Sequence, residues 1–79
     1  FYGLKLAYRA GREGGTLPTV FNAANERAVA LFLDRKISYL QIPEIIQECM
    51  EAHVNILCPD VETILKTEQE TYEFIKKRW

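Results

Sequence analysis

The stretch that decides the fold is Gly14-Gly15-Thr16-Leu17-Pro18-Thr19-Val20-Phe21-Asn22-Ala23-Ala24-Asn25-Glu26. Two glycines suited to a turn lead into a threonine that can cap a helix, and a proline follows in the first helical turn, where its missing N–H does no harm. Alanines then recur on both sides of the helix, which lets neighbouring helices approach closely. The stretch therefore predicts a tight turn followed by a central helix that the rest of the chain covers.

Size and composition limit the chain to one small domain. It has 79 residues, of which 48% are hydrophobic and 27% charged, and its formal net charge is −1. The ten basic and eleven acidic residues are mixed along the chain, whereas a nucleic-acid-binding face needs clustered lysine and arginine. No apolar run approaches the roughly 20 residues that a membrane span needs, and we expect no signal peptide. Neither a nucleic acid nor a membrane is therefore expected as a partner.

Apolar periodicity predicts four helices, at about 2–12, 17–34, 42–53 and 61–77, and no strand. The first helix is apolar on two sides, so we expect it to be covered on two sides. Asp60 is well placed to cap the fourth helix. One stripe is predicted on the second helix, formed by Leu17, Phe21, Ala24, Ala28, Leu31 and Phe32. Another is predicted on the fourth, formed by Val61, Ile64, Leu65, Tyr72, Ile75 and Trp79. The pattern indicates a single all-α, four-helix bundle-like domain over residues 1–79.

Two asparagines of the second helix are candidate functional residues. Asn25 falls within the apolar stripe and Asn22 lies at its edge. A buried amide costs about 1–3 kcal/mol if it is left unpaired, so we expect Asn25 to be buried and bonded to the backbone of a loop or helix end. A ligand contact is the alternative. The helix start at Gly14-Gly15-Thr16 can also seat an anion, but it lacks the lysine and the preceding strand of a phosphate loop, so a plain turn is favoured.

Two further titratable residues need a structural or chemical role. Glu68 lies in the middle of the fourth stripe and needs a partner, such as an arginine, a tyrosine hydroxyl or a helix N-terminus. His53, near the end of the third helix, is expected to satisfy the last carbonyl groups of that helix. The alternative for His53 is a general base, but no nucleophile or orienting acid is adjacent in the pattern.

The remaining candidates point to packing and surface contact. Cys49 and Cys58 lack metal-ligand spacing, and reduced thiols are favoured over a disulfide. Tyr2 and Phe74 point away from the apolar stripes of their helices, which suggests an additional contact surface. The chain carries no metal cluster, nucleophilic triad or cofactor motif, so we expect it to contain no catalytic, cofactor-binding or metal-binding residue.

The stretch from Gly14 to Glu26, with Ala28-Val29-Ala30 and Phe32-Leu33 after it, resembles the signature GGTxPxxxNAANExAVxxFL. This signature is typical of the C-terminal domain of 1-deoxy-D-xylulose 5-phosphate reductoisomerases. The similarity covers nearly the whole chain, is specific in the first half and is weaker from Glu51 onward. Its structural motif comprises Gly14, Gly15, Thr16, Pro18, Asn22, Asn25 and Glu26.

Three departures from the family pattern are visible. The family often has Pro-Cys at the position of Tyr2-Gly3, an apolar residue at that of Arg27 and an aspartate helix cap at that of Gln41. None of the three touches the Asn-Ala-Ala-Asn core of the signature. The departure at Gln41 concerns the start of the third helix.

The resemblance implies an NADPH-dependent reductoisomerase that converts 1-deoxy-D-xylulose 5-phosphate to 2-C-methyl-D-erythritol 4-phosphate in non-mevalonate isoprenoid biosynthesis. It implies that NADPH binds in an N-terminal domain and that Mn²⁺ or Mg²⁺ binds with the substrate in a central catalytic domain, so that no family site residue maps onto this chain. The isolated domain is then inactive, and its partner is the catalytic domain of the same polypeptide, which it supports structurally.

The resemblance also implies a homodimeric parent enzyme in the bacterial cytoplasm or in a plastid. Because the sequence begins at Phe1 rather than at methionine, we expect a fragment of a larger enzyme. A free-standing helical protein-interaction module is the alternative. If Asn25 locks the second helix to its surroundings, Asn25→Ala should lower both the melting temperature and the activity of the full enzyme.

Overall fold

A computed structural model describes residues 2–79 as four α-helices around one core. The helices are α1 (Tyr2–Glu13), α2 (Leu17–Leu33), α3 (Gln41–Ala52) and α4 (Val61–Arg78). The ends predicted from the sequence differ from these bounds by no more than one residue. Residues 2–79 contain no strand, and the predicted all-α, bundle-like class is confirmed.

The central helix is α2, which contacts each of the other three helices. Its buried side chains are small or aliphatic: Leu17, Val20, Ala23, Ala24 and Ala28. Ala23 lies off the predicted stripe, and its burial shows that α2 is covered on more than one side. Alanines at these positions let the neighbouring helix backbones come close, so this short chain can enclose a helix.

The side of α4 that meets the core differs from the predicted stripe. The buried residues are Thr67, Thr71 and Ile75, spaced four apart, whereas Val61 and Leu65 are exposed. The Thr71 hydroxyl donates to the Thr67 carbonyl oxygen at 2.9 Å, so its polar atom is satisfied inside the helix. The predicted stripe is confirmed at Ile75, which is buried, and at Trp79, which packs against the core, but it was wrong at Val61 and Leu65. It missed Thr67 and Thr71, which pack as small side chains.

The end of α2 is a compact turn with a left-handed residue. The Lys36 N–H donates to the Leu31 carbonyl oxygen and the Arg35 N–H to that of Phe32, each at 2.9 Å. This is the Schellman arrangement that ends many helices, and its left-handed position is usually a glycine. Here the position is held by Arg35, with φ 61°. The connection to α3 is therefore closed by local backbone bonds.

Candidate functional site

Two glycines with left-handed backbone form the turn between α1 and α2. Gly14 has φ 64° and Gly15 has φ 63°, and the Gly14 N–H donates to the Ala10 carbonyl oxygen at 3.0 Å as α1 ends. A Cβ atom on Gly15 would lie 2.6 Å from both the Asn55 Oδ1 and the Ile56 carbonyl oxygen. Position 15 therefore requires glycine for two reasons. Its backbone is left-handed, and the connection between α3 and α4 approaches too closely for a Cβ atom.

The first turn of α2 is capped by Asn55, a residue of that connection. Its Oδ1 accepts from the backbone N–H groups of Thr16 at 2.9 Å and Leu17 at 3.0 Å, and its Nδ2 donates to the Gly14 carbonyl oxygen at 3.0 Å. The prediction that Thr16 caps α2 was wrong, since its side chain makes no capping bond. Its backbone is helical there (φ −88°, ψ −4°) rather than extended as side-chain capping requires. The N–H groups that can seat an anion are thus occupied by a side-chain oxygen.

The Thr16 side chain is fully buried and joins this cap to His53. Its Oγ1 lies 2.6 Å from His53 Nε2 and 3.2 Å from Asn55 Oδ1, and it accepts from the Ile56 N–H at 3.0 Å. Burial lowers the pKa of His53 below its usual 6.5, against the opposing effect of the Glu70 carboxylate. A neutral His53 ring can accept the hydroxyl proton of Thr16 at Nε2. This contact is shorter than the one between Thr16 Oγ1 and Asn55 Oδ1. We call Thr16, His53 and Asn55 the Thr16 network.

The Thr16 network changes the role expected of His53. Its ring was predicted to satisfy the last carbonyl groups of α3, and that prediction was wrong, because Nε2 contacts Thr16 at the start of α2. The backbone at His53 is already extended (φ −86°, ψ 136°), which carries the ring away from the end of α3.

The asparagines of the sequence motif lie outside the core. Asn22, Asn25 and Glu26 are all exposed. The prediction that Asn25 is buried was wrong: the three neighbouring helices leave one side of α2 open, and Asn25 lies along that side. The Tyr72 hydroxyl of α4 donates to Glu26 at 3.4 Å, and not to Glu68, which is half-buried. The amide that bonds a helix end, expected at Asn25, is instead the half-buried amide of Asn55.

A groove of about 440 Å³ opens beside Asn25. It lies between the start of α1, the open side of α2 and the connection to α3, and we call it the α1–α2 groove. Tyr2, Val29, Tyr39 and Leu40 are among its walls, and none of the side chains that line it carries a charge.

A second cleft, of about 420 Å³, lies beside the Thr16 network. It is lined by His53 from one side and by Lys66, Glu70 and Phe74 of α4 from the other. Cys49 lies in its wall, and burial raises the pKa of this thiol to about 12, so the sulfur is a poor nucleophile. The cleft therefore has both charged and apolar walls. Cys49 in its wall is not an activated nucleophile.

Other kinds of site were sought among residues 2–79. Cys49 and Cys58 are both free thiols. Within this described part of the chain, no group of three or more histidine, cysteine, aspartate or glutamate side chains is placed to hold a metal ion. None of the four helices has the length and apolar character needed to cross a membrane.

The family model and the similar proteins that match this chain indicate the same family. Residues 1–74 match the model of the DXP reductoisomerase C-terminal domain. The chain is 60% identical over 79 residues to the 1-deoxy-D-xylulose 5-phosphate reductoisomerase of Agathobacter rectalis, and 51% identical over 79 residues to that of Clostridium novyi. These alignments cover 100% of this chain but only 21% and 20% of the two relatives, so it spans about a fifth of their length. No solved structure matches.

Proposed function

Since the chain belongs to the DXP reductoisomerase C-terminal domain family, we propose that it supports the catalytic part of a reductoisomerase as its C-terminal helical domain. The enzyme proposed converts 1-deoxy-D-xylulose 5-phosphate to 2-C-methyl-D-erythritol 4-phosphate with NADPH, in non-mevalonate isoprenoid biosynthesis. The observation that carries the proposal is the 60% identity, along all 79 residues, to a relative with that enzyme name.

We place the cofactor chemistry of this enzyme outside residues 2–79. The described part of the chain does not fit a catalytic metal, because it brings together no set of three suitable ligands. The phosphate of a nucleotide does not fit the start of α2 either, because the Thr16 and Leu17 N–H groups already donate to Asn55. We thus assign NADPH and Mn²⁺ or Mg²⁺ to the larger polypeptide, for which the resemblance also implies a homodimer in the bacterial cytoplasm or in a plastid.

The role proposed for this domain is mechanical. The α1–α2 turn and the α3–α4 connection are joined by the Asn55 bonds and by the contact between Thr16 and His53. This fixes the position of α2 relative to α3 and α4. A support for a catalytic domain needs such a fixed surface, because small displacements of a neighbouring site reduce turnover strongly.

The proposal is tested with the complete reading frame that encodes this chain. NADPH oxidation is measured with 1-deoxy-D-xylulose 5-phosphate for three proteins: the complete polypeptide, the same polypeptide without this domain, and the domain alone. The complete polypeptide should turn over, the domain alone should not, and removal of the domain should lower turnover by about tenfold or more, or 1.4 kcal/mol in the barrier. No turnover by the complete polypeptide would overturn the enzyme assignment, and full turnover without the domain would overturn the supporting role.

A further inference from the structure

The second cleft lies between the end of α3, the α3–α4 connection and α4, and we call it the α3–α4 cleft. Its volume of about 420 Å³ falls within the range of about 300–1,000 Å³ that is typical of sites for small molecules. Unlike the α1–α2 groove, it has charged side chains in its lining, Lys66 and Glu70. Neither charge takes part in the contacts that join the two connections.

The two charged side chains of the cleft do not neutralise one another. Lys66 and Glu70 lie about one turn apart on α4, and neither forms an ion pair within residues 2–79. A lysine that precedes a glutamate by four positions is in the less favourable order for pairing along a helix. Both side chains are exposed, so an ammonium and a carboxylate are available beside the cleft.

His53 adds a hydrogen-bond donor to the cleft without adding a charge. Its Nε2 accepts from the Thr16 hydroxyl, so the proton of the neutral ring is on Nδ1. Nδ1 has no hydrogen-bond partner within residues 2–79, and none of the buried side-chain nitrogen or oxygen atoms in that range lacks one. Nδ1 therefore reaches solvent. Because His53 lines the cleft, this N–H can donate to a molecule bound there.

The cleft also offers apolar surface. Phe74 of α4 is 37% exposed and Ile56 of the α3–α4 connection is 47% exposed, and both are part of the lining. An apolar group placed against them would remove apolar surface from water, which is favourable. With His53 neutral, the charges of Lys66 and Glu70 sum to zero. A molecule with one charge of each sign and an apolar group therefore matches the lining better than one with a net charge.

We propose that the α3–α4 cleft binds a free α-amino acid with an apolar side chain. Its carboxylate pairs with the Lys66 ammonium and accepts from the His53 Nδ1–H. Its ammonium pairs with the Glu70 carboxylate, and its side chain packs against Phe74 and Ile56. This binding does not depend on the proposed function, because it uses only residues of the cleft.

L-phenylalanine and two smaller analogues test the pairing of each charge. 3-Phenylpropanoate lacks the ammonium and 2-phenylethylamine lacks the carboxylate, and both keep the aromatic group. Dissociation constants for the complete polypeptide are measured by ligand-observed NMR titration. L-phenylalanine should bind about threefold more tightly than either analogue, or more, which is the size of effect that exposed ion pairs have. No saturable binding of L-phenylalanine, or equal binding of all three compounds, would overturn the proposal.

Substitutions in the cleft assign the two contacts. Glu70→Gln should weaken the binding of L-phenylalanine about threefold but should not weaken that of 3-phenylpropanoate, which has no ammonium. Lys66→Met should weaken the binding of L-phenylalanine to a similar extent but not that of 2-phenylethylamine, which has no carboxylate. Glu73→Gln and Lys76→Met remove the same charges from exposed positions of α4 outside the cleft, and should leave all three dissociation constants unchanged. Equal effects of the cleft and control substitutions would contradict binding in the cleft.

Discussion

Helices α2 and α4 both begin after a connection with a polar residue at the N-cap position, yet their first N–H groups are satisfied in opposite ways. At α4, Asp60 has an extended backbone (φ −82°, ψ 175°) and its Oδ1 accepts from the Thr63 N–H at 2.8 Å. At α2, Thr16 turns its hydroxyl inward, and Asn55 accepts from two N–H groups from a position 39 residues away. The α4 cap is thus local, whereas the α2 cap is a tertiary contact that ties two connections together.

The largest loss of unfolding free energy is expected from a substitution in the α1–α2 turn, at the point where Asn55 contacts the backbone of the turn. Gly15→Ala would place a Cβ 2.6 Å from the Asn55 Oδ1 and the Ile56 carbonyl oxygen, in a left-handed conformation that alanine disfavours. We expect a loss of about 3 kcal/mol or more in unfolding free energy, measured by urea denaturation.

Gly11→Ala is the matched control for Gly15→Ala. Gly11 lies within α1, and a Cβ there would meet nothing within 4 Å. Alanine should therefore stabilise the helix by about 0.5–1 kcal/mol. Equal changes in unfolding free energy for Gly11→Ala and Gly15→Ala would contradict the close approach of the α3–α4 connection to Gly15.

The next effect is expected at the capping amide itself. Asn55→Ala removes the acceptor of the Thr16 N–H, one of the two acceptors of the Leu17 N–H, and the donor to Gly14. The Leu17 N–H keeps its bond to the Gly14 carbonyl oxygen at 3.2 Å. The unfolding free energy should fall by about 2–3 kcal/mol, which for a domain of this size lowers the melting temperature by roughly 4–8 °C per kcal/mol. The exposed Asn25 is the control, and Asn25→Ala should change the stability of the 79-residue chain by less than about 0.5 kcal/mol. A larger loss of stability for Asn25→Ala than for Asn55→Ala would restore the structural role that the sequence predicted for Asn25.

A smaller, pH-dependent effect is expected from His53, the one histidine of the chain. Its pKa is lower in the folded state than its usual 6.5, because of burial, so the unfolded chain binds the proton more readily. The contribution of the neutral ring is then fully present above about pH 6.5 and is lost as the pH falls through the folded-state pKa. Melting temperatures measured between about pH 7 and pH 5 should decline for the wild type and decline less for His53→Gln. Equal slopes for the two proteins would contradict a neutral His53 in the Thr16 network.

The smallest effect is expected at the local cap of α4. Asp60→Ala removes one exposed bond to Thr63, so the melting temperature should fall less than it does for Asn55→Ala. The hydrogen bond to Thr63 also lowers the pKa of Asp60 below its usual 3.8, so this cap is present above that pH and is lost as the pH falls through the lowered pKa. A melting temperature for Asp60→Ala as low as that for Asn55→Ala would mean that the local cap matters as much as the tertiary one.

The same contrast explains what could be predicted from the sequence. Helix positions and the Asp60 cap depend on neighbours in the chain, such as the glycines at 14 and 15 and the aspartate before Val61, and the Asp60 cap is confirmed. The partner of the α2 cap is 39 residues away, and its identity depends on how the α3–α4 connection folds back. The available signal was a lone asparagine between the apolar residues Val54 and Ile56. That signal does not specify a contact.

Side-chain burial was harder to predict than helix position for a related reason. Periodicity identifies the sides of a helix, but it does not say which sides three neighbours can cover. Asn25 was therefore placed in a core that does not reach it, and the buried Thr67 and Thr71 of α4 were missed because threonine counts as polar in such patterns. At Thr71 the error is removed once the hydroxyl is allowed to bond within its own helix.

The central claim is that Asn55 caps α2 across the fold, and amide hydrogen exchange of the 79-residue chain tests it most directly. Exchange at the Thr16 and Leu17 N–H groups should be slow in the wild type and in Asp60→Ala, since both keep the Asn55 bonds. In Asn55→Ala the Thr16 amide should exchange far faster. The Leu17 amide should change less, because its N–H also donates to the Gly14 carbonyl oxygen at 3.2 Å, and amides in the middle of α2 should change least. Unchanged protection of Thr16 and Leu17 in Asn55→Ala would contradict the account.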